Sequence, residues 1–177
     1  TYPELLRSKM FWGHVACQAF SVGSFYAFLA GAPLVGEATF GLTPVQLGIG
    51  IGAITGGFVL GNYFTGRYAR NHSLGTMMVA GRFVAVGGVG VGVIVSLAGV
   101  LLAAVLFGAV VFIGFGNGLT LPASHSGALS VRSDLAGSAS GLSGAVVVAV
   151  GAVLTTVTGA VLNAETGVFV LMALLLT

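Results

Sequence analysis

Charge is what this sequence of 177 residues has least of: six Lys or Arg and four Asp or Glu, 6% of the chain. A water-soluble domain carries about a quarter charged residues, and so few charges could not cover its surface. Intrinsic disorder is excluded too, because it needs low hydrophobicity and high charge. Here 56% of residues are apolar and the mean hydropathy is +1.09. Proline is scarce, with 4 residues, and the 30 glycines keep no third-residue period, so the chain is not collagen-like. The single cysteine, Cys17, permits no intrachain disulfide. Nor do Cys17 and three scattered histidines, His14, His72 and His125, have the spacing of a metal site. A net charge of +2 is too small to argue for a nucleic-acid partner. What remains is an all-α integral membrane protein whose solvent is the lipid bilayer.

A bilayer core needs about 20 apolar residues at roughly 1.5 Å rise each. Five stretches qualify: residues 11–32, ending before Pro33; 44–65, opened by Pro44; 74–97; 100–121; and 136–162. The apolar run from Leu74 to Leu121 is too long for one helix and is divided at Leu97-Ala98-Gly99. A sixth stretch, 167–177, is too short to cross and reads as a truncated helix. With no Met at position 1 and this truncated end, the chain is expected to be a fragment. Arg7, Lys9 and the Ala30-Gly31-Ala32 triplet imitate a secretory signal, but the apolar run between them is too long and carries Gln18 and Ser21. It is therefore read as a true span.

The basic residues sort by loop. Arg7 and Lys9 precede span one, Arg67 and Arg70 lie between spans two and three, and Arg132 lies between spans four and five. The loops at 33–43, 97–99 and 163–166 carry Glu37 and Glu165 and no Lys or Arg. By the positive-inside rule the N-terminus and the loops at 66–73 and 123–135 are cytoplasmic. Arg82, two turns into span three, is read as snorkelling to the headgroups rather than as a buried functional charge. No acid lies inside a complete span, so no proton-carrying carboxylate is visible.

Membrane helices associate through small residues. Gly52-xxx-Gly56 and Gly57-xxx-Gly61 in span two, Gly114-xxx-Gly118 in span four, and Gly137-xxx-Gly141 with Ser140-xxx-Gly144 in span five mark packing faces. Whether these faces slide or pack statically is not legible in glycine density. On span one, His14, Gln18, Ser21, Phe25 and Phe28 follow the spacing of one helical face. This stripe is read as lining a cavity rather than as interhelical hydrogen bonding. Span two offers Thr55, Asn62 and Thr65, span four Asn117 and Thr120, whereas spans three and six look outward to lipid. Enzyme signatures fail. Gly141-Leu142-Ser143-Gly144 matches the surroundings of an intramembrane serine nucleophile, but no His follows to act as its base. Gly114-Phe115-Gly116-Asn117-Gly118 follows no strand, so it is not a dinucleotide loop. Neither enzymatic activity nor a cofactor is expected.

Four segments in order complete the reading: Phe25-Tyr26-Ala27-Phe28-Leu29-Ala30-Gly31-Ala32-Pro33-Leu34-Val35 followed by Phe40-Gly41-Leu42-Thr43; Gly61-Asn62-Tyr63-Phe64-Thr65-Gly66-Arg67-Tyr68-Ala69-Arg70; Gly116-Asn117-Gly118-Leu119-Thr120-Leu121-Pro122; and Ala136-Gly137-Ser138-Ala139-Ser140-Gly141-Leu142-Ser143-Gly144. Together they resemble the C-terminal half of Bcr/CflA-type multidrug efflux transporters of the major facilitator superfamily. The resemblance implies a half-bundle of five full helices and a truncated sixth, residues 1–177, completed by an N-terminal six-helix half. It further implies export of amphipathic drug-like molecules by proton antiport with alternating access, in a plasma membrane of bacterial inner-membrane type. Spans one and four would line the substrate cavity, with Gln18, Ser21, Phe25, Phe28 and Asn117 as its wall. Gly61, Arg67 and Arg70 would form a degenerate cytoplasmic loop motif, in which Thr65 and Gly66 stand where the family has Asp. The scarcity of fixed charge favours an apolar or weakly cationic substrate. An importer of a metabolite or sugar with the same fold, or a membrane remnant without transport, are the competing readings.

Overall fold

A computed structural model describes residues 2–100, 102–162 and 167–175 of the protein. Among the described residues there is no strand. The elements are α1 (Tyr2–Arg7), α2 (Lys9–Phe40), α3 (Pro44–Tyr68), α4 (Leu74–Leu97), α5 (Ala103–Ser130), a single turn at Ser133–Leu135, α6 (Ala136–Val161) and α7 (Gly167–Leu175). Five of these, α2 to α6, are long and apolar enough to cross a membrane, the pattern of a multi-pass membrane protein.

Helix starts follow from local chemistry. Thr43 caps α3 in a reciprocal box with Gln46, with Pro44 in the first turn. Ser8 and Ser73 accept from Phe11 and Thr76 backbone N–H groups at the starts of α2 and α4. Gly99 at φ 89 turns the chain after α4, where the long apolar run was divided.

Helix ends depart from expectation at both internal prolines. Span one was expected to stop before Pro33, yet α2 continues to Phe40. It ends where Gly41 adopts φ 61 and Leu42 N–H reaches back to Gly36 O. Glu37 thus lies on an exposed turn of helix rather than in a loop. Span four was expected over 100–121, but α5 starts at Ala103 and passes through Pro122 to Ser130, so most of the expected 123–135 loop is helical. Pro122 has no N–H for Gly118 O. Thr65 Oγ1, from α3, lies 3.0 Å from that carbonyl and 3.1 Å from Gly61 O, and shares its one O–H between them. In a bilayer a neighbouring hydroxyl of this kind replaces the missing backbone donor. The expected loop at 163–166, with Glu165, lies outside the described residues.

Two long helices form the centre. Helices α2 and α5 cross antiparallel, His14 against Gly127 at one end, Ser21 against Asn117 in the middle, and Phe28 against Phe107 at the other. Each then carries two neighbours. Along α5, α3 runs parallel (Gly50 on Phe107, Gly61 on Phe115) and α4 antiparallel (Gly81 on Gly116, Gly92 on Ala109). Along α2, α6 runs parallel (Val15 in the cluster packed by Val146, Gly23 on Leu154) and α7 antiparallel (Val35 on Gly167, Gly31 on Leu171). Exchanging α2-α3-α4 for α5-α6-α7 reproduces the same set of neighbours and directions. Helix α7 was expected to look outward. Instead Val168, Leu171, Met172 and Leu175 are buried, in the apolar cluster that also holds Phe28, Val35 and Val89. An i, i+3, i+4, i+7 face of this kind buries one side of a short helix whatever its remaining sides meet.

Candidate functional site

The α2–α5 crossing is where polar groups converge. Asn117 is buried at mid-helix in α5. Its Nδ2 donates to Ser21 O on α2 at 2.8 Å, and its Oδ1 accepts from Arg82 Nη2 on α4 at 2.5 Å. Ser21 Oγ donates to Cys17 O, and Ser24 Oγ donates to Ser21 O. Three helices are therefore joined through one amide. Arg82 overturns its expected role, because its head turns inward to Asn117 rather than out to the headgroups. Only its neighbours show the reason. Met77, Gly81, Ala85 and Val89 are the buried face of α4, and Arg82 stands beside Gly81, where the backbone comes closest to α5. That small-residue stripe, Gly81, Ala85, Gly88 and Gly92, was the sequence signal that could have oriented Arg82.

Beside the crossing lies a cavity of about 280 Å³ between α2, α3 and α5, whose wall includes Phe25, Tyr26, Thr55, Phe58 and Asn117. Val22 and Leu121 belong also to a second cavity of about 320 Å³ between α2, α5 and α6, with Gln18, His125, Ser140 and Ser143. The two adjoin at Val22 and Leu121 along the central pair and are together called the groove, apolar with three aromatic rings in its first part and hydroxyl-bearing in its second. Among the described residues no carboxylate lines either part. Such a wall suits an amphipathic ligand with a large apolar body and a few hydrogen-bonding groups.

Of the expected cavity residues, Phe25 and Asn117 line the first part and Gln18 the second. Ser21 and Phe28 line neither, a correction to the stripe reading. Both are fully buried, Ser21 at the helix crossing and Phe28 edge-on to Phe107 with ring centroids 6.1 Å apart. The stripe follows α5 along its length, so its members meet a helix first and open space only where α5 is narrow. His14 Nδ1 and Gln18 Nε2 are buried without a partner among the described residues.

The packing glycines divide. A Cβ on Gly57 would lie 2.5 Å from Val111 O, and one on Gly61 would meet Phe115 O and lie 2.9 Å from Gly118 Cα. Gly114 stands equally close to Ile54 O, and Gly118 to Phe58 O. These four hold α3 and α5 in backbone contact. By contrast, Gly52, Gly56, Gly137, Gly141 and Gly144 have nothing within 4 Å of a Cβ position, so their expected packing role has no partner among the described residues. Nor do Gly61, Arg67 and Arg70 form one loop. Gly61 is inside the α3–α5 interface, Arg67 is exposed in the last turn of α3, and Arg70 is exposed in the following turn.

At the end of the bundle near α1, Arg132 pairs with Glu4 and with Asp134, the latter at 2.8 Å. Arg132 holds the Asp134 carboxyl down at about 2 and also lowers that of Glu4. Among the described residues no His, Cys, Asp or Glu group could hold a metal ion. Compared with protein-family models, curated proteins and solved structures, the chain matches none.

Proposed function

We propose that the chain is one half of a secondary active transporter, of the Bcr/CflA multidrug type within the major facilitator superfamily, which exports amphipathic small molecules by proton antiport. The observation that carries the reading is the exchange symmetry of the bundle. Three helices and the next three make matching contacts, and an odd number per unit makes the second unit inverted in the membrane. Inverted three-helix repeats with a binding site near the midplane, at their interface, are the architecture of alternating-access transporters. The groove beside Asn117 sits at that interface. Phe25, Thr55, Phe58 and Asn117 bind the substrate on this side, and a second six-helix half supplies the opposite wall and the proton-carrying carboxylate. In this reading the ends bearing Arg7, Arg67 and Arg132 face the cytoplasm of a bacterial inner membrane.

The test uses the full-length transporter with Cys17→Ser as background. Single cysteines are placed at Phe25 and Thr55 in the groove and at Val79, exposed on α4. Pyrenebutanol, a neutral amphiphile, should slow thiol labelling at the first two positions and leave Val79→Cys unaffected. In proteoliposomes its export should collapse with a protonophore. Protection confined to Val79→Cys would discard the groove, and uptake indifferent to the protonophore would replace antiport by a passive carrier.

A further inference from the structure

Arg82 is the charged side chain at the depth of the α2–α5 crossing, and its charge has no counter-ion among the described residues. The acids Glu4, Glu37 and Asp134 sit in α1, in the last turn of α2 and in the α5–α6 turn. Among the described residues Arg82 Nε is buried without a partner, and the one acceptor its head reaches is Asn117 Oδ1. A positive charge held in a low-dielectric bundle with one neutral acceptor is poorly compensated, and its field extends to whatever lies beyond that acceptor. What lies beyond is the groove, because Asn117 forms part of its wall.

We propose that Arg82 makes the groove prefer anionic over cationic amphiphiles, acting through Asn117 as a positioning residue. The inference rests on the groove being the substrate site. It reverses the expectation of a weakly cationic substrate, which followed from counting charges without their directions. The hydrogen-bonding groups fit an acceptor ligand. Arg82 occupies Asn117 Oδ1 and Ser21 O occupies one Nδ2 proton, so the amide offers a ligand only its second N–H. Gln18 Nε2, beside the adjoining α2–α5–α6 cavity, is buried without an acceptor among the described residues. A carboxylate or sulfonate on an aromatic body matches an apolar wall that offers an amide N–H and, among the described residues, no carboxylate. An ammonium would meet a positive field and no fixed anion. Even at the dielectric of bulk water, about 80, a unit charge roughly 6 Å away separates ligands of opposite sign by about tenfold in affinity, and a drier site raises that ratio.

The experiment titrates the purified full-length transporter with two probes sharing one aromatic body, pyrenebutyrate and pyrenylbutyl-trimethylammonium, alongside neutral pyrenebutanol. Wild-type protein should bind the anion at least about tenfold more tightly than the cation. Arg82→Gln should bring that ratio close to one, and Arg82→Lys, which keeps the charge, should retain most of it. A simple packing defect would weaken all three probes together and leave the ratio unchanged. Wild-type binding that favours the cation, or a ratio unmoved by Arg82→Gln, overturns the proposal. Where Arg82→Gln does not fold, the wild-type ratio and its retention in Arg82→Lys decide. Binding of pyrenebutanol with no charge preference defeats this inference alone. No binding of any probe defeats the groove as a substrate site, and this inference with it.

Discussion

Gly118→Ala should destabilise the bundle by an amount set by backbone contact between α3 and α5, and Gly108→Ala, ten residues earlier in the same helix, measures everything else. A Cβ on Gly118 would lie 2.8 Å from Asn62 N and from Gly61 Cα, and closer still to Phe58 O. All three are backbone atoms, so no side chain can rotate away. To restore the roughly 3.5 Å separation of ordinary carbon contacts, the two helices must part by about 0.5–1 Å. A gap of that size forfeits about a quarter to a half of each affected dispersion contact. Overpacking of this kind costs about 1–3 kcal/mol. Parting the helices also stretches the Thr65 Oγ1 to Gly118 O bond of 3.0 Å, worth about 0.6 kcal/mol in a bilayer. Gly108 has nothing within 4 Å of its Cβ position. Both variants gain the same helix propensity, about 1 kcal/mol, so it cancels in their difference. Gly118→Ala should therefore be less stable than Gly108→Ala by about 1.5–3.5 kcal/mol. Equilibrium unfolding in mixed micelles, followed by far-UV circular dichroism, reads that difference. Equal stability of the two variants would refute the backbone contact on which the α3–α5 packing rests.

Two further outcomes follow from single contacts. Thr65→Val keeps the shape but removes the hydroxyl that serves Gly118 O in place of the Pro122 N–H, and should cost about 0.6 kcal/mol in the same unfolding measurement. In a Pro122→Ala background, where the backbone donor returns, the cost should largely vanish, and an undiminished cost would show that Thr65 acts elsewhere. At the bundle end, Arg132 lowers the Asp134 carboxyl from 3.8 to about 2. A lowered folded-state pKa contributes stability above about pH 4 that disappears as the pH falls towards 2. Carboxyl carbon NMR should find the Asp134 midpoint near 2 in the wild type and close to 3.8 in Arg132→Ala. An unmoved midpoint would remove Arg132 as the cause.

Helix identity was legible because it depends on composition along the chain. The start at Pro44 and the bounds of α4 were readable from a proline, the onset of an apolar run at Leu74 and its division at Leu97-Ala98-Gly99. Pro122 misled for a reason that lies on another helix. A proline disfavours a helix because it removes one backbone donor and crowds the carbonyl four residues back, but inside a bundle a partner helix can serve that carbonyl. Thr65 serving Gly118 O is a contact across 53 residues that no local pattern contains. The site was legible in its residue types and not in its directions. Phe25, Gln18 and Asn117 line the groove, whereas Ser21 and Phe28 share their helical face and are covered by α5.

The direction of Arg82 illustrates what sets such outcomes. Snorkelling compares only two environments, lipid and headgroup, and in that comparison a flexible arginine stem reaches outward. The bundle adds a third, created by the spacing of glycines in α5. Gly114 and Gly118 bring that helix onto α3, and Gly116, between them in sequence and on the opposite side, brings it onto α4 at Gly81. Asn117 follows Gly116 and so sits where the α4 backbone is nearest, with α2 in front of it. An arginine at 82, beside that close approach, finds an amide oxygen within reach before it finds water. The glycines in Gly114-Phe115-Gly116-Asn117-Gly118 thus decide the direction of a charge on another helix, and with it the sign of the field at the groove.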